Sequence, residues 1–236
     1  MHYDFKKKLN KVDSQQYKNL RVPEIDWVLN EAEDVFIEMI IHPRKFSGYL
    51  GFEKNQRTID DIRQLVVPVD DTVAIAPITP GGNSFSLPSD YRHFVAAEVL
   101  MSKSGCDDRK GRIFQRQQDD EFETSPFDRS SFEWKTVNGI FSGNTMRLHD
   151  DTTFVNEELY LGYVKNPVYM HNAEAHNVAG YNMPDGTTLT GSVNCELPDH
   201  THREILDIAV LITTGELENQ LGYQFKERKF DLNMNN

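Results

Sequence analysis

The sequence predicts an α+β protein in which both ends of the chain form a helical bundle and a strand-rich middle is inserted between them. Apolar residues recur at helical spacing near each end, whereas the middle alternates apolar with small or polar residues between turns. Amphipathic helices must bury their apolar stripes, and packing them together is the simplest solution. We expect a bundle from residues 1–68 and 195–222, an insertion over 69–194 and a tail over 223–236.

The first long helix is predicted over residues 23–41. Pro23 suits the first turn of a helix, and Pro43 would end it. The apolar residues fall at the three-and-four spacing of one helical face. They are Ile25, Val28, Leu29, Ala32, Val35, Phe36, Met39 and Ile40.

A shorter helix is predicted over residues 58–67. Thr58 is a suitable N-cap and Pro68 follows the last turn. Its apolar positions are Ile59, Ile62, Leu65 and Val66.

The middle of the chain is predicted to form strands. Residues 94–101 are compatible with a buried strand or a short helix, because a short apolar run does not distinguish the two. Residues 102–133 are polar and charged, which indicates a long excursion, although long structureless loops are uncommon in compact domains. Further strands are expected at 134–141, 145–148 and 158–164.

Helical spacing returns after a loop or hairpin at residues 177–194. This helix should begin near residues 199–201 and end near Gly215. Its apolar face consists of Ile205, Ile208, Ala209, Leu211 and Ile212.

Composition and charge exclude several classes of function. The chain has 236 residues and a net charge of −12, which disfavours general coating of nucleic acid. A mean hydropathy of −0.58 predicts no membrane span. The polar residues after the first lysines do not resemble a secretory leader. Cys106 and Cys195 are far apart and are expected to be reduced thiols in a cytoplasm.

Two groups of residues could in principle bind a metal, but neither has the spacing of a known site. His171 and His176 are five residues apart, whereas zinc proteases place two histidines four apart on a helix with a glutamate between them. Neither a nucleophile with an adjacent base nor a phosphate-binding loop is apparent. We therefore expect no enzyme activity, no metal and no cofactor. The two groups are His171, Glu174 and His176, and Asp199, His200, His202 and Glu204.

Four motifs stand in order along the chain. They are Glu24-Ile25-Asp26-Trp27-Val28-Leu29-Asn30-Glu31-Ala32 followed by Phe36; Arg57-Thr58-Ile59-Asp60-Asp61-Ile62-Arg63 with Leu65-Val66; Phe85-Ser86-Leu87-Pro88-Ser89-Asp90-Tyr91; and Glu196-Leu197-Pro198-Asp199-His200 with His202-Arg203-Glu204-Ile205 and Ala209-Val210. The first, second and fourth resemble the head-to-tail connector (ring) proteins of crAss-like bacteriophages. The third is similar to a Leu-Pro-x-Asp-Tyr element in tail-adaptor proteins of short-tailed phages. Their order and spacing carry the resemblance.

The resemblance implies a non-enzymatic virion protein in the neck or tail region, assembled in the bacterial host cytoplasm. It would form a homo-oligomeric ring, dodecameric in the family, between the portal protein and other tail or ring proteins. The ring would line the conduit for DNA ejection, and its acidic surface would let genomic DNA pass without sequence-specific binding. The resemblance also implies a helical bundle with a strand-rich insertion.

Most motif residues are expected to specify the fold. Asp26, Trp27 and Asn30 are interpreted as the outer face of the first long helix, and Asp199 as a helix cap. The intermolecular contacts are instead assigned to the polar excursion and to the tail, whose aromatic residues and positive charges would anchor it to acidic partners. The tail residues assigned to assembly are Phe225, Lys226, Arg228, Lys229 and Phe230.

Two alternative functions stay open. A phage-encoded metal-dependent hydrolase would bring the histidine and acidic groups together in a cleft. A carbohydrate-binding tail module would place exposed aromatic residues such as Trp134, Phe141 and Tyr160 on one face of a sheet.

Overall fold

The computed structural model divides the chain into two compact units. The first combines both chain ends, Met1–Gln64 and Pro167–Asn236, and the second is the continuous segment Leu65–Asn166. Residues 167–194, which the sequence analysis places in the insertion, thus belong to the first unit. The residues that the structure describes are 1–10, 20–41, 60–116, 128–177 and 179–216.

The second unit is built around a seven-stranded sheet. Its strands are β1 (Val66–Val67), β2 (Ser84–Ser86), β3 (Tyr91–Ser102), β4 (Arg109–Gln115), β5 (Thr136–Ser142), β6 (Thr145–His149) and β7 (Val155–Lys165). They lie in the order β1-β7-β3-β4-β5-β6-β2. The β4–β5 pair is parallel and the other pairs are antiparallel.

The sheet is curled around an apolar core. Ile75 forms an isolated bridge with Leu159 of β7, and Pro77 forms one with Phe85 of β2, so one short segment links strands from opposite parts of the sheet. In β4 and β6 buried residues alternate with more exposed ones, as the pleat requires. The largest fully buried side chains of this core are Phe85, Phe132, Met101, Met146, Leu148 and Leu159.

The polar excursion contains a strand that the sequence analysis did not predict. In β4, Gly111 and Ile113 are buried and face the core, while Lys110 and Arg112 are exposed on the outer face. The charged residues therefore belong to the outer half of a period-2 pattern. The ambiguous segment 94–101 lies in β3 and is a strand.

The first unit combines helices with short β-ladders. Its helices are α1 (His2–Asn10), α2 (Val22–Ile41), α3 (Ala173–His176) and α4 (His202–Glu216). Its ladders pair β8 (His171–Asn172) with β11 (Ser192–Val193), and β9 (Tyr181–Asn182) with β10 (Thr188–Leu189).

Helix α4 packs against both α1 and α2. Ile25, Ala32 and Phe36 of α2 are buried, as are Ile205 and Ile208 of α4, which confirms these parts of the helical faces predicted from the sequence. Leu211 and Ile212, which were predicted on the same face of α4, are only half-buried. Helix α1 was not predicted. It adds buried Phe5 and Leu9 to this core, and its Lys8 Nζ lies 2.8 Å from Asp207 Oδ1 of α4.

The predicted α+β fold with a helical bundle formed by the chain ends is wrong. The structure is mostly β, with the curled seven-stranded sheet as its main element and about 30% of the residues in helices. The predicted helix over residues 58–67 is wrong in its second half, because Arg63–Leu65 is a 3₁₀ turn and Val66–Val67 is strand β1. Asp60 and Asp61 are helical, and residues 58–59 lie outside the described residues. Short strands and a charged strand have weak periodicity in the sequence, whereas α2 and α4 have a strong one, so the sequence pattern overstates the helical part of the fold.

Candidate functional site: a groove and an acidic stripe on helix α2

Asp26 lies in the second turn of α2 and is fully buried. Its carboxylate accepts hydrogen bonds from the Tyr181 hydroxyl at 2.7 Å and from the Asn172 backbone N–H at 3.2 Å. The His2 Nε2 atom lies 2.6 Å from Asp26 Oδ1. A buried carboxylate requires such partners, because an unpaired one would lose its hydration without compensation. Asp26 therefore joins α1, α2 and the 170–181 segment.

Asn30 supports the same segment one helical turn further on. Its side-chain amide donates to the Met170 carbonyl at 2.8 Å and accepts from the Met170 N–H at 2.8 Å. This pair of bonds satisfies the backbone of Met170 as a neighbouring strand would. The expected position of Asp26 and Asn30 on the outer face of α2 is thus wrong, whereas Trp27 is 52% exposed as expected.

Two tyrosines next to Asp26 are held in the neutral form. Burial raises the pKa of Tyr181, and its hydrogen bond to the Asp26 carboxylate raises it further. Burial also raises the pKa of Tyr169, with a smaller contribution from the charge of Asp26. Both phenols therefore stay neutral well above physiological pH, and the hydroxyl of Tyr181 is already bonded to Asp26.

Above this network lies an open apolar cavity of about 530 Å³, which we call the Trp27 groove. The hairpin of β9 and β10 forms one side of the groove. It requires glycine at position 180, because the φ there is +78° and a Cβ atom would collide with the Leu189 carbonyl. The indole of Trp27 stands at the groove's edge with half its surface in solvent. The lining residues are Leu20, Pro23, Glu24, Trp27, Val28, Tyr169, Tyr181, Asn182, Met183, Pro184 and Thr213.

A row of acidic residues lies along α2 on the same side as Trp27, and we call it the acidic stripe. Spacings of three and four residues place them on the same helical face as Trp27. Glu24 and Asp34 are exposed, and Glu31 and Glu38 are half-buried. Helix α2 contains no lysine or arginine. The stripe consists of Glu24, Glu31, Asp34 and Glu38.

Other motif residues connect distant parts of the chain within one unit. Asp61 Oδ1 lies 2.7 Å from His200 Nε2, which links the second motif to the fourth. Glu196 accepts a hydrogen bond from the Val168 N–H at 3.1 Å. In the second unit, Asp90 accepts one from the Tyr163 hydroxyl at 3.0 Å. These residues shape the fold, as the sequence analysis expects for most of the motifs.

The histidine groups singled out in the sequence do not converge. His171 is buried in β8, whereas Glu174 and His176 are exposed on α3. In the second group, His200 contacts Asp61 and the His202 Nε2 atom lies 3.0 Å from the Leu197 carbonyl. Within the part of the chain that the structure describes, no three His, Cys, Asp or Glu residues are close enough to hold a metal ion.

The two cysteines have different surroundings. Cys106 is exposed, whereas the Cys195 thiol donates to the buried Glu33 carboxylate at 3.1 Å. Burial raises the pKa of Cys195, and the negative charge of Glu33 raises it further. Such a thiol is a poor nucleophile at neutral pH.

The aromatic residues considered for carbohydrate binding do not form one platform. Trp134 is 82% exposed in a turn, and Phe141 packs against the core of the curled sheet beside Tyr91. Tyr160 donates to Glu158 at 2.7 Å and lies under the Lys110 ammonium group.

The predicted assembly residues Phe225, Lys226, Arg228, Lys229 and Phe230 lie outside the described residues, so their assignment stays a prediction. The Trp27 groove was not predicted, because its walls come from four separate segments of the chain. The acidic stripe could have been found, since residues 24, 27, 31, 34 and 38 share one face of a strongly predicted helix.

No protein-family model matches the chain, and no curated protein matches it. Every helix in the described segments is too short or too polar to cross a membrane.

Proposed function

We propose that this chain is a structural virion protein that forms a ring between the portal and the tail of a short-tailed, crAss-like bacteriophage. It would act in the neck or tail region of the virion after assembly in the host cytoplasm. Its partners would be copies of itself, the portal protein and other tail or ring proteins. The basis is the resemblance of the four sequence motifs, considered together with the positions that their residues occupy.

The observation that carries the proposal is the role of the motif residues in the first unit. Asp26 and Asn30 of the first motif hold residues 170–172, and Asp61 of the second motif contacts His200 of the fourth. The motifs therefore coincide with contacts that determine the fold. The resemblance therefore falls on residues that hold the first unit together, although the helical bundle that it implies is not the fold observed.

Trp27 is a motif residue of a different kind. It is a large aromatic side chain that stays half-exposed beside an apolar groove. Exposed aromatic residues of this kind are typical anchors of protein interfaces. Trp27 therefore supports assembly with another protein surface.

Charge supports a role as a DNA conduit. The net charge of −12 would repel the phosphate backbone, so that the genome would pass a ring of such subunits without adhering to it. The same charge would keep free subunits apart in solution before assembly. The proposal includes no catalytic step.

Location in the virion is the direct test of this function. Virions of the phage that encodes the chain would be labelled with gold-conjugated antibodies against it and imaged by electron microscopy. We expect gold at the junction between head and tail. Gold on tail fibres or on the capsid shell, or virions that lack the chain, would contradict the proposal.

Deleting residues 225–236 tests the assigned assembly residues. We expect the thermal midpoint of the truncated subunit to stay nearly unchanged, because chain ends seldom belong to the core, and we expect incorporation into particles to be lost. Replacement of exposed Phe114 with Ala is a control that should be incorporated normally. Normal incorporation of the truncated chain would refute the assembly role, and a truncated chain that fails to fold would place the tail in the core.

A further inference from the structure

We propose that the Trp27 groove of one subunit binds the carboxy-terminal tail of the neighbouring subunit, with Glu24 and Glu31 of the acidic stripe, which flank Trp27, recognising its basic residues. This inference rests on the proposed ring, since it concerns the contact that would join one subunit to the next.

The groove has the chemistry of a site for aromatic side chains. Its walls include Pro23, Trp27, Met183 and Pro184, and its volume of about 530 Å³ can hold more than one side chain. The hydroxyl of Tyr181 in the wall is already bonded to Asp26. A ligand that enters the groove therefore meets mainly apolar surface.

The acidic stripe adds a charge requirement at the edge of the groove. Trp27 stands between Glu24 and Glu31 on one face of α2. The Glu31 Oε2 atom is buried and has no hydrogen-bond partner among the described residues. A buried carboxylate oxygen of this kind favours a cationic partner. The expected ligand is thus an aromatic residue followed by positive charges.

The end of this chain has that composition. Phe225 is followed by Lys226, Arg228 and Lys229, and then by Phe230. Charge complementarity between this segment and the stripe would steer the encounter and fix the direction of the bound tail. Aromatic residues in the groove would supply most of the affinity.

The length of the tail permits a contact with the neighbouring subunit. Thr213 of α4 lines the groove, and α4 ends at Glu216 with 20 residues of chain still to follow. Nine extended residues span roughly 30 Å, so Phe225 can reach beyond its own subunit. A ring needs heterologous contacts, in which one surface of a subunit fits a different surface of the next. A groove and a tail on the same chain meet this requirement.

Isotope-resolved photo-cross-linking of the full-length chain tests the inference. One copy would carry nitrogen-15 and the photoreactive residue p-benzoylphenylalanine in place of Phe225, and it would be mixed with an equal amount of unlabelled wild-type chain. After irradiation and digestion, mass spectrometry would identify the joined peptides. We expect the labelled tail peptide to be joined to the unlabelled peptide that contains Trp27.

Two variants serve as controls. Trp27→Ser in the unlabelled chain should lower the yield of that cross-link by about tenfold or more, because a central aromatic anchor is lost, while its thermal midpoint verifies folding. The photoreactive residue placed instead at Phe114, which is 46% exposed on β4, should give no cross-link to the Trp27 peptide.

The isotopes separate the possible outcomes. Cross-links only within the labelled chain would show that the tail binds its own subunit and would overturn the inference, as would cross-links elsewhere or none. Closed rings observed without the tail-to-groove cross-link would remove this inference and leave the proposed function. The cross-link in an assembly that never closes would keep the contact and remove the ring.

Discussion

The two units differ in what they bury. The second unit, a single continuous segment, has an apolar core, and its buried polar residues in the described part are the uncharged Ser130, Asn138 and Asn156. In the first unit, which is made from both chain ends, the described residues include three buried carboxylates. They are Asp26, Glu33 and Asp61.

Each of these carboxylates joins one chain end to the other. Asp26 accepts from Asn172 and Tyr181, Glu33 accepts from the Cys195 thiol, and Asp61 pairs with His200. A continuous segment can bring its strands together through short turns, whereas two distant segments need contacts that define their register. Directional hydrogen bonds to buried carboxylates supply that register, which apolar packing alone specifies less well.

Removing a large apolar side chain from the core should lower the free energy of unfolding more than any other substitution considered, and by a similar amount in both units. Phe36 in α2 is 5% exposed and Phe85 in β2 is fully buried. Replacing either with Ala should lower the free energy of unfolding by about 3 to 5 kcal/mol, since a cavity remains. Phe114→Ala, at a site that is 46% exposed, should lower it by less than about 1 kcal/mol. Denaturant unfolding measures all three, and a small effect at Phe36 alone would contradict the packing of α2 on α4.

Asp26→Ala tests whether the first unit depends on its buried carboxylates. The change leaves the Tyr181 hydroxyl and the Asn172 N–H without their acceptor. We expect a loss of about 3 kcal/mol in the free energy of unfolding. Asp60→Ala is the matched control, because Asp60 is largely exposed and lies 3.8 Å from Arg63, and it should change stability by less than about 0.5 kcal/mol. Equal effects of the two substitutions would show that a buried carboxylate contributes no more to stability than an exposed one. The first unit would then not depend on its buried carboxylates, and this difference between the units would be lost.

Alkaline pH should weaken a tyrosine–carboxylate contact in each unit. Burial and the hydrogen bond to Asp90 raise the pKa of Tyr163 to about 12, and burial and Asp26 raise the pKa of Tyr181. A raised pKa in the folded state contributes stability below the unfolded pKa of about 10 and loses it as the pH rises through the folded value. Stability should therefore fall between about pH 10 and 12. Tyr163→Phe and Tyr181→Phe should each make this fall shallower, and an unchanged slope in both would contradict the contacts.

The last comparison concerns the reactivity of the two cysteines, one in each unit. At pH 8, exposed Cys106 should react at once with a thiol reagent, whereas Cys195 should react at least about 100-fold more slowly because it is buried and its pKa is raised. A Cys106→Ser variant isolates the slow thiol. Two fast thiols would show that the contact between Cys195 and Glu33 is open in solution.

The sequence predicted elements with a strong local period and missed those defined by distant partners. Helix α2 and the start of α4 were predictable, because their apolar residues recur at helical spacing. Strand β4 was missed because only Gly111 and Ile113 mark its inner face. Asp26 was assigned to the surface because its partner Tyr181 is 155 residues away in the chain. The groove was missed for the same reason. The acidic stripe beside it could have been predicted, because its residues recur at helical spacing within a single helix.

Electron microscopy of the purified full-length chain, together with native mass spectrometry, tests the proposed ring most directly. The account predicts closed rings with a central opening, with a mass of about 330 kDa for twelve copies of the 27.2 kDa chain. The Trp27→Ser variant should remain folded and form few rings. Wild-type chains that stay monomeric up to roughly 100 μM, well above the concentrations at which specific interfaces form, or that join only as two-fold symmetric dimers, would contradict it.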